Sequence, residues 1–354
     1  MSHFAHIAGQ LARYGLDAVV ITSGPGEFYA AGFQGEGMAL VTPQDAWYYT
    51  DARYIEAARQ QVKGARVGQI ATGQSYRQLA RHIVEEQGIA RLGFEDRAMS
   101  VADYRRWEQD VPAQLLPASD LLDQLRMVKD EGELAAMRQA QRITDEAFAE
   151  ILNDLKPGVQ EQEIAARLSY LMARKGAQRN SFDPIVACGA NGSKPHAIPG
   201  QDRIQTGQFV TMDFGCVVDG YCSDMTRTVA VGSVTDEMRR VYQTVLNAQL
   251  AGIQVARAGV TGQAVDGAAR QVITDAGYGD CFGHGFGHGV GLNIHESPNA
   301  STRSEQPLPA GAVLTAEPGI YLPGRFGVRI EDMLFLTADG NENLTLAPKE
   351  LIVL

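Results

Sequence analysis

The chain has 354 residues, of which 45% are hydrophobic and 21% charged, and its formal net charge is −11. This length predicts about two domains, and the ordinary globular composition excludes a disordered, collagen-like or coiled-coil chain. The excess of acidic residues, with no Lys/Arg-rich block, argues against a nucleic-acid or anionic-membrane partner.

No segment is predicted to cross or enter a membrane. The chain contains no run of 18 apolar residues, and residues 1–16 lack the apolar stretch of a signal peptide. The four cysteines form no C-x-x-C pair, which predicts neither a disulfide framework nor a thiolate zinc site. A cytoplasmic protein is therefore expected.

The first third of the chain alternates predicted helices and strands. An amphipathic helix over 4–14 precedes a buried strand over 16–22, which the breakers Gly24-Pro25-Gly26 are expected to close. Further strands are predicted over 38–41 and 47–50, followed by a helix over about 53–62. This pattern predicts a small α/β domain, and it contains no catalytic constellation.

The remainder repeats one order of elements twice: a helix pair, a histidine-bearing loop and an acidic hairpin. The first helix pair stops at Lys156-Pro157-Gly158 and at Gly176, and the second is expected to begin at the N-caps Thr235 and Thr261. Strands are predicted over 208–213, 222–231, 312–317 and 327–336. The sequence therefore predicts two pseudo-twofold halves whose hairpins face one centre.

Each predicted hairpin carries two acids on one face. A turn at 218–219 would set Asp213 opposite Asp224, whereas a turn at 219–220 shifts the pairing by two positions; both registers keep the two on one face. A turn centred on Gly324 sets Glu317 opposite Glu331. Carboxylates within apolar strands are costly to bury without compensation, and two divalent cations would balance four of them.

Histidines concentrate around the same hairpins. Four of the seven precede an acidic hairpin: His196, His284, His288 and His295. One imidazole added to carboxylates suits Mn, Co or Zn better than Ca or Mg. The Gly/His-rich stretch 283–296 matches neither the dinucleotide fingerprint nor the H-E-x-x-H motif.

Several motifs resemble the metallopeptidase family M24, which contains methionine aminopeptidase, Xaa-Pro aminopeptidase and Xaa-Pro dipeptidase. The matching residues are Asp213 and Asp224 eleven apart, His288 seven before His295, Glu317 in Glu-Pro-Gly-Ile-Tyr, and Glu331 in Val-Arg-Ile-Glu-Asp. The resemblance is strong over residues 125–350 and weaker over the first 120. It implies an α/β (α+β) protein, with a small N-terminal α/β domain (1–124) followed by a pita-bread catalytic domain (125–354).

The resemblance also implies a ligand set and roles for individual residues. Two divalent ions, Mn before Co or Zn, would be held by Asp213, Asp224, His288, Glu317 and Glu331. Of these, Asp224 and Glu331 would bridge the ions, and Glu317 would also handle the proton of a metal-bridging water or hydroxide. His196, His284 and His295 would hold substrate and assist proton transfer. Tyr321 and Arg329 would orient the ligands, and a homodimer is expected.

The expected activity is cleavage of peptides with proline at the second position, as in an Xaa-Pro aminopeptidase. The close alternative is an Xaa-Pro dipeptidase (prolidase), which must also read a free carboxylate, commonly with arginine. In several dipeptidase-like relatives an arginine follows His-Glu-x-Pro, whereas here Asn299 does, with Arg303 nearby.

Methionine aminopeptidase is disfavoured by the N-terminal domain. A metal-free binding module or a creatine amidinohydrolase-like enzyme is disfavoured because all five ligand positions are filled.

Overall fold

The computed structural model describes residues 2–354 and divides the chain into two compact units, Met1–Arg126 and Met127–Leu354. Within the described residues no helix combines the length and apolar character that crossing a membrane requires. All four cysteines are free thiols.

The N-terminal unit is a six-stranded mixed sheet with helices. Its helices are α1 (Phe4–Gln10), α2 (Gly24–Ala31), α3 (Ile55–Gln61), α4 (Tyr76–Gln87), α5 (Val101–Asp110) and α6 (Ser119–Met127). Its strands are β1 (Ala18–Ile21), β2 (Met38–Val41), β3 (Ala46–Thr50), β4 (Arg66–Gln69), β5 (Arg91–Phe94) and β6 (Gln114–Pro117). The sheet order is β4-β3-β2-β1-β5-β6, and β1 and β3 pair antiparallel with β2. Buried apolar side chains of α4 and α5, among them Ile83 and Trp107, pack on this sheet.

Strand β1 ends at Ile21, before Gly24-Pro25-Gly26, as predicted, but these three residues form no loop and instead begin α2. The side chain of Ser23 caps this helix by accepting from the N–H of Gly26 at 3.0 Å. Proline is tolerated there because N–H groups in the first turn of a helix make no hydrogen bond within the helix, so the N–H that proline lacks is not needed. The signal read as a breaker is therefore a helix start.

The C-terminal unit contains four long helices and thirteen strands. The helices are α7 (Glu131–Ile151), α8 (Glu161–Arg174), α9 (Asp236–Val255) and α10 (Gly262–Asp275). The strands of the first half are β7 (Arg179–Asn180), β8 (Ile185–Cys188), β9 (Gln208–Phe214), β10 (Cys216–Val218), β11 (Tyr221–Cys222) and β12 (Met225–Val231). Those of the second are β13 (Gly287–Gly289), β14 (Glu296–Ala300), β15 (Val313–Ala316), β16 (Gly319–Leu322), β17 (Phe326–Arg329), β18 (Asp332–Leu336) and β19 (Asn341–Asn343).

Two hydrophobic cores lie in this unit, one for each half. Helices α7 and α8 bury Phe148 and Leu168 against the β8-β9-β12 sheet. Helices α9 and α10 bury Val245 and Ile273 against the sheet of order β14-β13-β15-β18-β19. A helix pair on a sheet thus occurs twice in the same chain order, as the sequence predicted.

The predicted N-caps of α9 and α10 are confirmed. The hydroxyl of Thr235 accepts from the N–H of Met238 at 3.2 Å, and that of Thr261 accepts from the N–H of Ala264 at 3.1 Å. Each hydroxyl satisfies a backbone donor that the first helical turn leaves without a partner.

Candidate metal centre and active site

The first acidic pair is positioned by the hairpin of β9 and β12. Val218 pairs with Tyr221, so the turn falls at residues 219–220, and Asp213 lies opposite Thr226. This is the second of the two registers open to the sequence, and it keeps Asp224, two residues from Thr226, on the face of Asp213. The strand predicted over 222–231 is interrupted at Ser223 and Asp224.

The second acidic pair lies between two short ladders that share one register. Ala316 pairs with Asp332 in one ladder, and Gly319 pairs with Arg329 in the other. This register sets Glu317 across from Glu331, as predicted from the turn at Gly324. The strand predicted over 327–336 is interrupted at residues 330–331, so Glu331, like Asp224, occupies a break between strands.

The two hairpins bring their acids together around His288. Candidate ligand atoms of Asp224, His288 and Glu331 all lie within 4.8 Å of one another. The Nδ1 of His288 donates to the carbonyl of Gly289 at 3.1 Å, which turns Nε2 toward Glu317 Oε1 at 3.3 Å and Asp224 Oδ2 at 3.7 Å. A proton or a metal cation is needed between that nitrogen and the oxygens facing it.

One buried guanidinium organises the remaining side of the cluster. Arg329 donates to Asp213 Oδ2 at 2.6 Å, to Thr226 Oγ1 at 3.0 Å and to the hydroxyl of Tyr321 at 2.9 Å. That hydroxyl lies 3.0 Å from Nε2 of His284. Because Nδ1 of His284 donates to the carbonyl of Gly285, Nε2 accepts from Tyr321. A chain of hydrogen bonds therefore joins Asp213 to His284 through Arg329 and Tyr321.

Two threonines that sequence reasoning missed hold the acids in place. Thr226 donates to Glu331 Oε2 at 2.7 Å, and Thr315 donates to Glu317 Oε1 at 3.1 Å. The hydroxyl of Thr315 also accepts from the N–H of His288 at 3.0 Å. Each threonine stands two residues from an acid of its own hairpin, so the alternation of strand faces was the available signal.

All ten residues singled out in the sequence line one cavity of 820 Å³: His196, Asp213, Asp224, His284, His288, His295, Glu317, Tyr321, Arg329 and Glu331. The ring of His295 stacks edge-on against that of His288, with centroids 4.3 Å apart. The loop that carries His196 is organised by the buried carboxylate of Glu161, which accepts from the N–H groups of Cys188 at 2.7 Å and Gly200 at 3.1 Å.

Burial and mutual repulsion shape the pKa values of the acids. Burial, reinforced by neighbouring carboxylates, raises the pKa of Asp224 and of Glu331 well above the ordinary range. Burial also raises the pKa of Asp213, with Arg329 opposing the shift. Burial acts on Glu317 in the same sense and is the largest single influence, but the hydrogen bond and charge of His288, together with the charges of His284 and Arg329, outweigh it and lower the pKa of Glu317 to about 2. The cluster therefore lacks positive charge.

The residues present fit a pair of divalent cations. Asp213 Oδ1 is buried and has no hydrogen-bond partner among the described residues, although its other oxygen is paired with Arg329. Four carboxylates and one imidazole nitrogen converge there, a mixed O/N donor set that Mn, Co and Zn accept. Buried unpaired acceptors are expensive, and a cation removes that cost.

Comparison with known proteins agrees with this geometry. Residues 135–338 match the family model of metallopeptidase family M24, and residues 5–128 match that of the creatinase/prolidase N-terminal domain. The chain belongs to metallopeptidase family M24. It is therefore a hydrolase with an M24 pita-bread catalytic domain, and membership of this family implies divalent metal ions.

Individual relatives of this M24 peptidase cover nearly its whole length. An uncharacterized peptidase, YqhT, of Bacillus subtilis is 42% identical over 99% of the chain and 98% of its own length. The solved structure of an Xaa-Pro dipeptidase from Bacillus anthracis is 40% identical with a TM-score of 0.96, covering 99% of both chains. That of an X-Pro aminopeptidase from Thermotoga maritima is 36% identical with a TM-score of 0.91, covering 98% of this chain and 100% of its own.

Proposed function

We propose that this M24 peptidase is an Xaa-Pro dipeptidase that uses two divalent ions, with Mn as the first candidate. This reverses the order expected from the sequence, where an aminopeptidase was preferred because Asn299 follows His-Glu-x-Pro. The relative named Xaa-Pro dipeptidase has both the higher identity and the higher TM-score of the two solved structures described above.

The observation that carries the proposal is the position of Arg303. This exposed arginine lines the cavity that holds the carboxylate cluster. Within residues 2–354 its guanidinium has no hydrogen-bond or ion-pair partner in the structure. A free guanidinium recognises a carboxylate through two parallel hydrogen bonds. Arg303 would therefore bind the C-terminal carboxylate of a dipeptide substrate, a role that Asn299 does not fill.

The four acids of the two hairpins and His288 would share the binding of the two ions. Asp213 would hold one ion and His288 with Glu317 the other, and Asp224 and Glu331 would be shared between them. When bound, such a pair supplies Lewis-acid polarisation of the scissile carbonyl and a water of lowered pKa. Arg329 and Thr226 fix the orientation of Asp213 and Glu331, so the protein sets the geometry of these oxygens before substrate arrives.

Proton transfer falls to the groups around that centre. Glu317 lies beside His288 at the centre of the cluster, 3.3 Å from its Nε2, and its carboxylate would accept a proton from the attacking water. The exposed imidazoles of His196 and His295 line the cavity, where they would bind the substrate and pass a proton to the proline nitrogen. Burial raises the pKa of Tyr321 to about 12, which keeps its hydroxyl protonated and donating to His284.

A substrate panel tests the assignment. Chelated protein is reconstituted with Mn, Co or Zn, and kcat/KM is measured for Ala-Pro, Ala-Pro-Ala and Met-Ala-Ala. We expect Ala-Pro to be the best substrate, with the largest activity in Mn, and Arg303→Gln to raise KM for the dipeptide more than for the tripeptide. Faster cleavage of Ala-Pro-Ala than of Ala-Pro would restore the aminopeptidase reading.

We also propose that the enzyme works as a homodimer in the cytoplasm. The family resemblance and the general prevalence of twofold oligomers support the first point. Four free thiols suit a reducing compartment, which supports the second. Analytical ultracentrifugation of the metal-loaded enzyme measures the assembly, and a monomer at micromolar concentration would contradict it.

A further inference from the structure

Two charged side chains in the cavity wall take no part in the central cluster. Besides the acids, the histidines and Arg329, the charged residues that line the cavity are Asp183 and Arg303. Both are exposed, and within residues 2–354 neither side chain has a hydrogen-bond or ion-pair partner. Arg303 is assigned above to the substrate carboxylate, which leaves the carboxylate of Asp183 without a function.

The strand registers place these two charges on different sides of the cluster. Asp183 precedes β8 by two residues, and Ile185, the first residue of β8, pairs with Asp213. Arg303 follows β14, in which Asn299 pairs with His288. If Arg303 holds the C-terminal carboxylate, the substrate's N-terminal residue lies on the side of Asp213 and Asp183.

Distance decides which part of that residue Asp183 can reach. Asp183 is two residues before Ile185, the residue that pairs with Asp213. Two residues of extended chain span about 7 Å, so the backbone of Asp183 lies about that far along the strand direction from Asp213. The α-nitrogen of a substrate is only about 2.5 Å from the scissile carbon, so it stays within the central cluster. A lysine or arginine side chain carries its charge on a long flexible stem and extends far enough.

We propose that Asp183 is a specificity-determining residue that favours a basic side chain on the N-terminal residue of the substrate. The enzyme's preferred substrate class is then Lys-Pro and Arg-Pro dipeptides, an inference that rests on the proposed Xaa-Pro activity. Phe182 and Ile185 flank Asp183 in the cavity wall and provide apolar surface for the methylene stem. The carboxylate of Asp183, which is exposed in the cavity wall, would then pair with the charged end of that side chain.

The test compares matched dipeptides on the metal-loaded enzyme. The values of kcat/KM for Lys-Pro, norleucyl-Pro and Glu-Pro are measured for the native enzyme, for Asp183→Asn and for Asp339→Asn, an exposed acid outside the cavity. We expect Asp183→Asn to lower the Lys-Pro to norleucyl-Pro ratio about two- to fivefold, the range of an exposed ion pair, and to improve Glu-Pro. The native ratio should fall with added NaCl, whereas that of Asp183→Asn should not.

Other outcomes overturn the inference. An equal loss for all three dipeptides in Asp183→Asn would assign the residue to the α-ammonium or to the loop's structure. An unchanged Lys-Pro to norleucyl-Pro ratio in Asp183→Asn, or the same change in Asp339→Asn, would show that Asp183 does not recognise the substrate side chain. If tripeptides prove the better substrates, the dipeptidase proposal fails separately, and the same ratio measured on Lys-Pro-Ala and norleucyl-Pro-Ala still decides the role of Asp183.

Discussion

At the scale of single residues, Asp224 is a buried acid that would be stabilised by a cation. This residue is 4% exposed, and its carboxylate faces Nε2 of His288 at 3.7 Å and lies in the compact cluster with Glu331. Burial and the charge of Glu331 raise the pKa of Asp224 well above its usual range. Without a metal, ionised Asp224 is a destabilising group, and in the proposed centre it would be a ligand.

Replacing Asp224 by Asn should therefore separate catalysis from folding. We expect Asp224→Asn to lose metal pairing and at least about 100-fold in kcat/KM, since even outer partners of metal ligands cost 10- to 100-fold. In chelated protein its melting temperature should equal or exceed that of the native chain, because one buried charge is gone. Metal analysis, kinetics and circular dichroism measure these effects, with Asp339→Asn as control. Normal turnover by Asp224→Asn would contradict the bridging role.

A second buried acid, Glu27, gives the N-terminal unit a pH dependence of its own. Glu27 is 1% exposed, and its Oε1 accepts from the N–H groups of Gly35 and Gly37 at 2.9 Å each and from the hydroxyl of Tyr48. Burial outweighs these hydrogen bonds and raises the pKa of Glu27 above 4.5. The folded chain thus holds this proton at pH values where the unfolded chain has released it.

Stability contributed by this proton is complete below the unfolded pKa and is lost as pH rises through the folded pKa. The variant Glu27→Gln keeps an oxygen acceptor but does not titrate. Its melting temperature relative to the native chain should therefore increase from pH 4 to pH 7. The exposed Glu86→Gln serves as control and should show no such trend. A constant difference for Glu27→Gln would show that Glu27 ionises as it does in water.

At the scale of elements, the centre depends on a close approach of β13 to the end of β15. A Cβ on Gly287 would lie 1.9 Å from the carbonyl oxygen of Thr315. The hydroxyl of Thr315 accepts a hydrogen bond from the N–H of His288, the residue that follows Gly287. The absence of a side chain at Gly287 therefore allows the contact that positions the only imidazole in the proposed ligand set. Gly283, in the same Gly/His-rich stretch, faces open space and has no positive φ.

These two glycines form a matched pair for mutation. Gly287→Ala should destabilise the C-terminal unit by about 1–3 kcal/mol, the usual cost of overpacking, and should abolish activity by displacing His288. Gly283→Ala should retain near-native activity and stability. Thermal unfolding and kcat/KM on Ala-Pro measure both variants. Equal activity in the two would show that the strands separate without cost to the site.

At the scale of the whole molecule, a buried ion pair joins the two halves of the C-terminal unit. Arg227 of β12 is 1% exposed and donates to Asp332 of β18 at 2.8 Å and to the carbonyls of Ala347 at 2.7 Å and Pro348 at 3.0 Å. Asp332 adjoins Glu331, so this contact fixes one hairpin's acid relative to the other hairpin.

Removing that guanidinium should weaken the C-terminal unit as a whole. We expect Arg227→Ala to lower the free energy of unfolding by about 3–5 kcal/mol, because buried charge and carbonyls lose their partner. Arg325→Ala breaks an exposed ion pair with Glu237 and should cost less than about 1 kcal/mol. Both tryptophans lie in the N-terminal unit, so hydrogen exchange of amides in β12 and β18 is the better measure. Similar protection in the two variants would show that the halves associate without Arg227.

The sequence by itself determined the elements and the chemistry of the C-terminal unit. Helical periodicity, the caps at Thr235 and Thr261, and acids on one face of each hairpin depend on local spacing, which the chain fixes without distant contacts. The spacing of Asp213 and Asp224 left two registers open, because both keep the acids on one face. Local signals indicated that the first strand ends before Gly24-Pro25-Gly26, but not that these residues, capped by Ser23, begin a helix.

Only the tertiary structure decided which groups meet. Three features depend on the packing of segments up to about a hundred residues apart. They are the strand interruptions at Asp224 and Glu331, the threonines that hold two of the acids, and the charges of Asp183 and Arg303, which have no partner within residues 2–354. Local spacing carries no information about such contacts, since they form only when both hydrophobic cores bring the hairpins face to face. The sequence thus predicted the candidate donor set, and the fold determined the geometry of these residues and the side from which we propose that substrate binds.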